Sequence, residues 1–178
     1  DFIPLFEENG KICRLDLYVF EEVCSLLCRW RESGAELIPI SVNLSRQHFY
    51  LNSDFLNSFA ELKQRYNIPD GILELELTEN TMFYSEKIQE VKSSIVQMHR
   101  LGLRCSLDDF GFGFSSLSLL REFDVDTLKL DRSFFEDISD PKARDVISCL
   151  LQLAKRLKLE TVAEGIETLE QLAYLKSV

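Results

Sequence analysis

The chain has 178 residues, 46% of them hydrophobic, and its 30 Asp and Glu residues against 20 Lys and Arg residues give a formal net charge of -10. This length and composition predict one globular domain with a single core, and they argue against a disordered or fibrous chain. Because an acidic protein repels phosphate groups, we expect no binding to a DNA or RNA polymer, and a phosphate-ester substrate would need cations between it and the protein.

Helical and strand-like patterns alternate along the chain. Apolar residues recur at helical spacing over residues 15–30, 54–66, 86–101, 116–123 and 142–157. Short runs in which apolar and polar residues alternate cover residues 40–44, 72–79, 104–109, 127–131 and 160–164. This strand–helix rhythm predicts an α/β fold with a parallel sheet.

Each predicted strand carries polar side chains on one of its faces; in the run 72–79, for example, leucines alternate with polar residues. A sheet covered by helices on both faces would bury such groups at high cost, whereas the interior of a barrel opens to solvent. We therefore expect a TIM-type (β/α)8 barrel. Because such a barrel takes about 250 residues, or roughly 30 per strand–helix unit, the chain holds about five of the eight units.

The carboxyl ends of the predicted strands carry ionisable or amide side chains, and barrels of this kind place their chemistry at that end. These residues are Asn43, Glu76 with Glu79, Asp108 with Asp109, Lys129 with Asp131, and Glu164 with Glu167. An all-oxygen donor set suits Mg²⁺ or Mn²⁺, and two such ions about 3.5–4 Å apart clamp a phosphoester for in-line hydrolysis. Lys129 could orient or deprotonate the attacking water, or neutralise charge that develops on phosphate.

Taken singly, members of this set also have structural interpretations. Glu76 and Glu79 could belong to a helix cap, and the Asp108-Asp109 pair could form an ordinary turn. The glycines of residues 111–116 resemble a phosphate loop only weakly, so we interpret that segment as a mobile loop beside the two aspartates. Five strands that end polar in the same register are harder to explain by structure alone.

The cysteines are odd in number and scattered, and we interpret them as reduced thiols in a cytoplasmic domain. They are Cys13, Cys24, Cys28, Cys105 and Cys149. A zinc cluster would need closer pairs with histidines, and we expect His48 and His99 at the surface or in the core. No apolar run approaches the roughly 20 residues of a membrane helix. The first residue is Asp1 and not Met, which indicates a piece of a longer chain.

Five short motifs follow one another along the chain and carry a family resemblance. They are Ser41-Val42-Asn43-Leu44-Ser45, Glu74-Leu75-Glu76-Leu77-Thr78-Glu79, Asp108-Asp109-Phe110-Gly111, Lys129-Leu130-Asp131-Arg132 and Ala163-Glu164-Gly165-Ile166-Glu167-Thr168. In this order and spacing they resemble the EAL domains, which are phosphodiesterases of cyclic di-GMP in bacterial signalling proteins. The resemblance implies a barrel with one antiparallel strand, two Mg²⁺ or Mn²⁺ ions, and hydrolysis of one phosphodiester bond to give linear pGpG.

The resemblance also assigns roles to single residues. The positions that match the family's metal ligands are Asn43, Glu76, Asp108, Asp109 and Glu164. Lys129 matches the lysine that holds the catalytic water, and Asp131 of the same motif is assigned to substrate binding. Glu79 matches a glutamate that steadies the loop after the paired aspartates, and Glu167 matches an active-site glutamate.

The chain departs from the family pattern in three places. The Glu-Ala-Leu tripeptide should lie upstream of Asp1 and the last strand beyond Val178, so we expect residues 1–178 to be a partial EAL domain that is inactive alone. Phe112 stands where the family has Thr, and Phe114 where it has Tyr. Phe112 favours one alternative, a catalytically weak domain that acts as a cyclic di-GMP receptor or regulatory module. A further alternative is another metal-dependent barrel that acts on carboxylate or phosphate substrates.

The partners that the resemblance implies are cyclic di-GMP and a second copy of the domain, bound through the helices next to the 111–116 loop. A sensor domain or a diguanylate cyclase (GGDEF) domain is expected in the parent chain, and the cytoplasmic domain could belong to a membrane-anchored protein.

Overall fold

The predicted strand–helix rhythm is present in the fold. The strands are β1 (Ile40–Asn43), β2 (Leu73–Thr78), β3 (Arg104–Phe110), β4 (Thr127–Leu130) and β5 (Glu160–Ala163). They form one sheet in the order β1-β2-β3-β4-β5, and the β1–β2, β3–β4 and β4–β5 pairs are parallel. Strands that are adjacent in the sheet are also adjacent in sequence and are joined by helices. This is the arrangement of successive parallel βα units. The α/β prediction is therefore confirmed.

The computed structural model describes residues 2–51, 54–79, 81, 88–111 and 117–178. Its helices are α1 (Ile3–Glu8), α2 (Ile12–Glu32), α3 (Gln47–Leu51), α4 (Leu56–Arg65), α5 (Ile88–Arg100), α6 (Leu117–Glu122), α7 (Pro141–Leu157) and α8 (Leu169–Leu175). A short 3₁₀ turn covers Arg132–Phe134. The chain divides into two compact units, Asp1–Cys105 and Ser106–Val178.

In the first unit, helix α2 supplies much of the core. Its buried side chains recur at helical spacing and include Ile12, Asp16 and Phe20. Phe20 meets Phe59 of α4 edge to face, with ring centroids 4.9 Å apart. Edge-to-face aromatic pairs add stability beyond their buried area, so this contact fixes α2 against α4.

The predicted polar face of the sheet is present in the same unit. Leu73, Leu75 and Leu77 of β2 are fully buried, and Glu74 between them is also buried. Glu74 is balanced by Arg104 at the start of β3, whose Nε lies 3.2 Å from Glu74 Oε2. Such a partner offsets the cost of burying a carboxylate.

In the second unit, sequence signals mark the start of α7. Asp140 accepts a hydrogen bond from Lys142 N and Pro141 occupies the first turn, which is a standard helix start.

Helix α8 packs against α7 through Tyr174, whose hydroxyl donates to the Arg144 carbonyl at 2.6 Å. The Arg144 guanidinium lies over the Tyr174 ring at 5.3 Å.

The cysteine prediction agrees with the structure: all five are free thiols, with Cys24 and Cys105 buried. In the described part of the chain, no helix is long and apolar enough to cross a membrane. Three short helices of five to seven residues, α1, α3 and α8, were not predicted from the sequence.

Candidate functional site

The first unit places two of the predicted site residues side by side. Asn43 at the end of β1 is in register with Glu76 of β2. Leu44 N then donates a hydrogen bond to the Glu76 carbonyl at 3.0 Å, which continues the parallel ladder by one residue. Adjacent strand ends in register thus bring an amide and a carboxylate together, as the sequence predicted. Asn43 is exposed, whereas Glu76 is buried.

Glu79 follows β2 and is buried. The hydroxyls of Thr78 and Thr81 lie 3.2 Å apart across this turn, so threonines take part in the local hydrogen bonding. The loop that Glu79 is expected to steady, residues 112–116 with Phe112 and Phe114, lies outside the described residues. The predicted role of Glu79 therefore stays a prediction.

The second unit gathers an ammonium group and several carboxylates. Lys129 Nζ lies 3.0 Å from Asp108 Oδ1 and 2.7 Å from Glu164 Oε1. The Lys129 side chain is 12% exposed and that of Asp108 is 11% exposed, so solvent screens this pair weakly. These three residues come from three consecutive strand ends, which confirms that the strand register brings them together.

An irregularity in β3 exposes the second aspartate. The β3–β4 register runs from Leu107 opposite Leu128 to Phe110 opposite Leu130, so β3 holds one extra residue. Asp109 lies within this bulge at a φ of 55°. A bulge breaks the strict alternation of side chains between the two faces. The side chains of the consecutive residues Asp108 and Asp109 can therefore belong to the same cluster.

The electrostatics of Asp109 show how crowded the acidic groups are. Burial raises its pKa, and the negative charges of Asp108, Asp131 and Glu164 raise it further, while Lys129 lowers it. The net pKa lies above its ordinary value. Like charges at short range disfavour ionisation, so additional positive charge at this cluster would be stabilising.

The 3₁₀ turn Arg132–Phe134 fits into spaces left by two glycines. A Cβ atom on Gly111, which has a φ of 104°, would lie 2.0 Å from a ring carbon of Phe134. A Cβ atom on Gly165, which has a φ of 64°, would lie 2.4 Å from the Cβ of Arg132. These glycines follow Asp109 and Glu164 closely in sequence, so the turn fixes the backbone beside both carboxylates.

Asp131 begins this turn. Its Oδ1 accepts a hydrogen bond from Ser133 N at 2.9 Å, and its own N–H donates to the Phe110 carbonyl at 3.2 Å. Burial acts to raise the pKa of Asp131, but the hydrogen bonds from Ser133 and Arg132 outweigh it and the net pKa is lowered. Asp131 is predicted to bind substrate, but its Oδ1 atom caps the start of this turn.

Glu167 is exposed, and its N–H donates to Gln171 Oε1 at 2.8 Å. The same Gln171 oxygen accepts from Thr168 N, and Gln171 N donates to Thr168 Oγ1, which completes a capping box at the start of α8. The backbone of Glu167 thus belongs to a helix start, and its catalytic role stays a prediction.

A buried pair in the first unit, Asp16 with His48, was not predicted from the sequence. His48 Nε2 lies 3.0 Å from Asp16 Oδ2, and the same oxygen accepts a hydrogen bond from Ser45 N at 2.9 Å. His48 lies in the core, which is one of the two locations predicted for the histidines. The missed signal was an aspartate on the buried face of α2, between Ile12 and Phe20.

The donor chemistry of the predicted ligands fits hard divalent cations, because every candidate atom is a carboxylate or amide oxygen. The raised pKa of Asp109 among neighbouring carboxylates points the same way. Among the described residues, however, no group of three or more His, Cys, Asp and Glu side chains is arranged so that it could hold a metal ion. Asp108 and Glu164 instead contact Lys129.

Comparisons with known proteins agree with these motifs. The chain is 34% identical over 176 residues to "Cyclic di-GMP phosphodiesterase NbdA" of Pseudomonas aeruginosa, covering 98% of this chain and 22% of the relative. Among solved structures, the EAL domain of Mycobacterium smegmatis DcpA superposes with a TM-score of 0.84 at 32% identity, covering 92% of this chain and 73% of that one. The PaMucR phosphodiesterase in complex with c-di-GMP gives a TM-score of 0.87 at 31% identity, with coverages of 99% and 70%.

The curated relatives are much longer than this chain, which spans between 21% and 34% of their lengths. The family model of the EAL domain matches residues 1–178, which sets aside the alternative of an unrelated metal-dependent barrel. The chain therefore belongs to the EAL domain family.

Proposed function

We propose that this chain is the catalytic region of a cyclic di-GMP phosphodiesterase that hydrolyses one phosphodiester bond to give linear pGpG in bacterial second-messenger signalling. Family membership supports this proposal, as do the names of two relatives, the phosphodiesterase NbdA and PaMucR solved with c-di-GMP. The substrate carries two phosphates, and an acidic chain would need cations to bind it.

The observation that carries the proposal is the position of Lys129, whose ammonium lies 3.0 Å from Asp108 and 2.7 Å from Glu164. The two acidic partners come from the strands on either side of β4, so the ammonium lies among the strand-end carboxylates. Two anions fix the positive charge in place, so it can act on a reacting group without reorganising.

We assign five oxygen donors to two Mg²⁺ or Mn²⁺ ions, on the strength of the matched motifs and of their donor chemistry. They are Asn43, Glu76, Asp108, Asp109 and Glu164. When bound, such ions supply charge stabilisation to the phosphate and lower the pKa of a bound water.

The chain's own residues would do the remaining work. Lys129 orients the attacking water and offsets negative charge on the phosphate, since its ammonium donates hydrogen bonds and cannot accept one. Asp108 and Glu164 hold that ammonium in position. Asp131 keeps the turn after β4 in place and is proposed to contact substrate, and Glu79 and Glu167 are proposed to support the site.

We further propose that the protein acts in the cytoplasm, where cyclic nucleotide signals are read, and that it carries a sensor or diguanylate cyclase domain besides residues 1–178. Curated relatives much longer than this chain support additional domains. A homodimer through the helices next to residues 111–116 is part of the same proposal. Among those helices, Leu117 of α6 and Val146 of α7 are exposed apolar side chains.

The test is turnover of cyclic di-GMP by the full-length protein with Mn²⁺, with products separated by chromatography. We expect a linear dinucleotide that disappears with EDTA and with Glu76→Gln. The matched control is Glu61→Gln, which makes the same chemical change at an exposed position of α4 and should leave turnover unchanged. Intact substrate in the wild-type reaction would contradict the proposal and favour a cyclic di-GMP receptor.

A further inference from the structure

We infer that the buried Asp16–His48 pair positions Asn43, and that both are positioning residues for metal binding at that amide. The inference rests on the proposed function, because it takes Asn43 as a metal ligand. Asn43 is the last residue of β1, so the path of the chain just after it decides where its side chain is held.

Two hydrogen bonds fix the two residues that follow Asn43. Leu44 N donates to the Glu76 carbonyl on the β2 side at 3.0 Å. Ser45 N donates to Asp16 Oδ2 on the α2 side at 2.9 Å. The chain after Asn43 is therefore tied in succession to the neighbouring strand and to the long helix.

His48 holds Asp16 in place for this contact. Because a carboxylate only accepts hydrogen bonds, His48 Nε2 carries the proton and donates to Asp16 Oδ2 at 3.0 Å. Both residues are buried, with 3% of His48 and 7% of Asp16 exposed, so neither side chain can exchange its partner for bulk water. One carboxylate oxygen thus links α2, the Ser45 backbone and α3.

Packing limits the movement of this pair. The His48 ring lies 4.9 Å from the ring of Phe55 and 5.5 Å from that of Phe59. Asp16 lies on the buried face of α2, one turn before Phe20, which packs on Phe59. A rotamer change of either residue would require these aromatic rings to move.

The pair lies beside the candidate ligand. Asp16, Ser45 and Asn43 line the same groove, of about 640 Å³, in the first unit. Removing a group that orients a metal ligand lowers metal affinity by about 10- to 100-fold in well-studied sites. A purely structural pair would affect stability and leave the affinity of the folded protein unchanged.

The experiment measures Mn²⁺ affinity of the full-length protein from the electron paramagnetic resonance signal of free Mn²⁺. His48→Leu keeps an apolar side chain among Phe55 and Phe59 but removes the donor to Asp16, and we expect about 10-fold weaker Mn²⁺ binding. His48→Gln retains a side-chain N–H donor, so we expect affinity close to that of the wild type. Measurements are made well below each variant's unfolding temperature.

The matched control is Asp70→Asn, which removes a helix-to-loop ion pair of the same unit. Lys63 Nζ lies 2.5 Å from Asp70 Oδ1, just before β2 begins and away from Asn43 in sequence. Asp70→Asn should lower the unfolding temperature without changing Mn²⁺ affinity. The inference would be overturned if His48→Leu bound Mn²⁺ as tightly as the wild type. It would also be overturned if Asp70→Asn bound Mn²⁺ more weakly in proportion to its loss of stability.

Glu76→Ala distinguishes failure of the inference from failure of the proposed function. If Glu76→Ala abolishes Mn²⁺ binding and His48→Leu binds as the wild type does, the metal site stands and the positioning role is wrong. If Glu76→Ala binds Mn²⁺ as the wild type does, the proposed metal site is wrong, and the positioning role falls with it.

Discussion

The ammonium of Lys129 lies 2.7 Å from Glu164 Oε1 across the β4–β5 pair. Lys129 is in register with Val162, and Glu164 stands two residues further along on the same side of its strand. The contact is thus a diagonal pair between neighbouring strands. Because 38% of the Glu164 side chain is exposed against 12% for Lys129, the pair has a buried end and an end open to solvent.

Lys129→Met should lower cyclic di-GMP turnover by about 100-fold or more, since it removes the positive charge proposed to orient water and offset phosphate charge. The measurement is the initial rate of linear dinucleotide formation by the full-length protein. Lys155→Met is the control, because Lys155 is an exposed lysine in the last turn of α7. Equal rates for Lys129→Met and the wild type would show that this ammonium has no part in the chemistry.

Gly165→Ala should destabilise the fold more than an ordinary change at a left-handed glycine. Gly165 has a φ of 64°, and its added Cβ would lie 2.4 Å from the Cβ of Arg132. Gly34→Ala is the matched control, with a φ of 76° and no atom within 4 Å of the added Cβ. We expect about 1 kcal/mol of lost unfolding free energy for Gly34→Ala and about 1–3 kcal/mol more for Gly165→Ala.

Urea denaturation of both variants measures this difference. Arg132→Gly removes the Cβ that the new methyl group would meet, so the combination with Gly165→Ala should cost less than the sum of the two single changes. Additive losses would mean that Arg132 does not constrain the backbone beside Glu164.

Side-chain alternation was sufficient to predict the sheet and much of the candidate site. Alternate leucines predict β2, and the strand-end rule of parallel sheets predicts that Asp108 and Lys129 lie close together, which their 3.0 Å contact confirms. These features depend on residues that are close in sequence or on a register that one buried face determines. They are therefore readable from the chain itself.

Other features depend on three-dimensional context. The bulge at Asp109 adds one residue to β3. The consecutive residues Asp108 and Asp109 break the alternation of that strand, but such a break does not by itself distinguish a bulge from the end of the strand. The Phe134 ring fills the space that a Cβ atom on Gly111 would occupy, and these two residues come from separate loops. Helix α8 differs from these features, because its capping box of Thr168 and Gln171 is a helix-start signal that is present in the sequence itself.

Asp131 offers a direct test of two roles, cap and substrate contact. Asp131→Ala removes the acceptor for Ser133 N and should cost about 0.5–2 kcal/mol of unfolding free energy. Asp131→Asn retains a side-chain oxygen acceptor and should restore most of that stability. If Asp131 also contacts substrate through its charge, Asp131→Asn should still raise KM for cyclic di-GMP. An unchanged KM in Asp131→Asn would leave only the cap.

The low pKa of Asp131 gives this cap a pH dependence with a definite sign. A carboxyl group whose pKa is lowered by folding stabilises the fold above its unfolded pKa, and that contribution is lost as the pH falls through the folded value. Wild-type unfolding free energy should therefore fall on acidification more steeply than that of Asp131→Ala. Parallel curves of unfolding free energy against pH for the two proteins would contradict the lowered pKa.

Thiol reactivity should follow burial. Burial, followed by the charge of Asp16, raises the pKa of Cys13 from its ordinary value of 9.0 to about 11. Burial and the charge of Glu21 raise that of Cys24 to about 12. Because the thiolate is the reactive form, iodoacetamide at pH 8 should modify exposed Cys149 first and Cys24 last in the native protein.

Mass spectrometry of peptides after timed labelling measures the order, and Cys149→Ser should remove the fast phase without changing the rate at Cys24. Below pH 11 the rate at Cys13 should rise about tenfold per pH unit, because the thiolate fraction does. Above pH 9 the unfolded chain loses thiol protons that the fold retains, so rising pH should lower the unfolding free energy. Labelling of Cys24 as fast as Cys149 would mean that α2 opens readily, which its packing of Phe20 on Phe59 argues against.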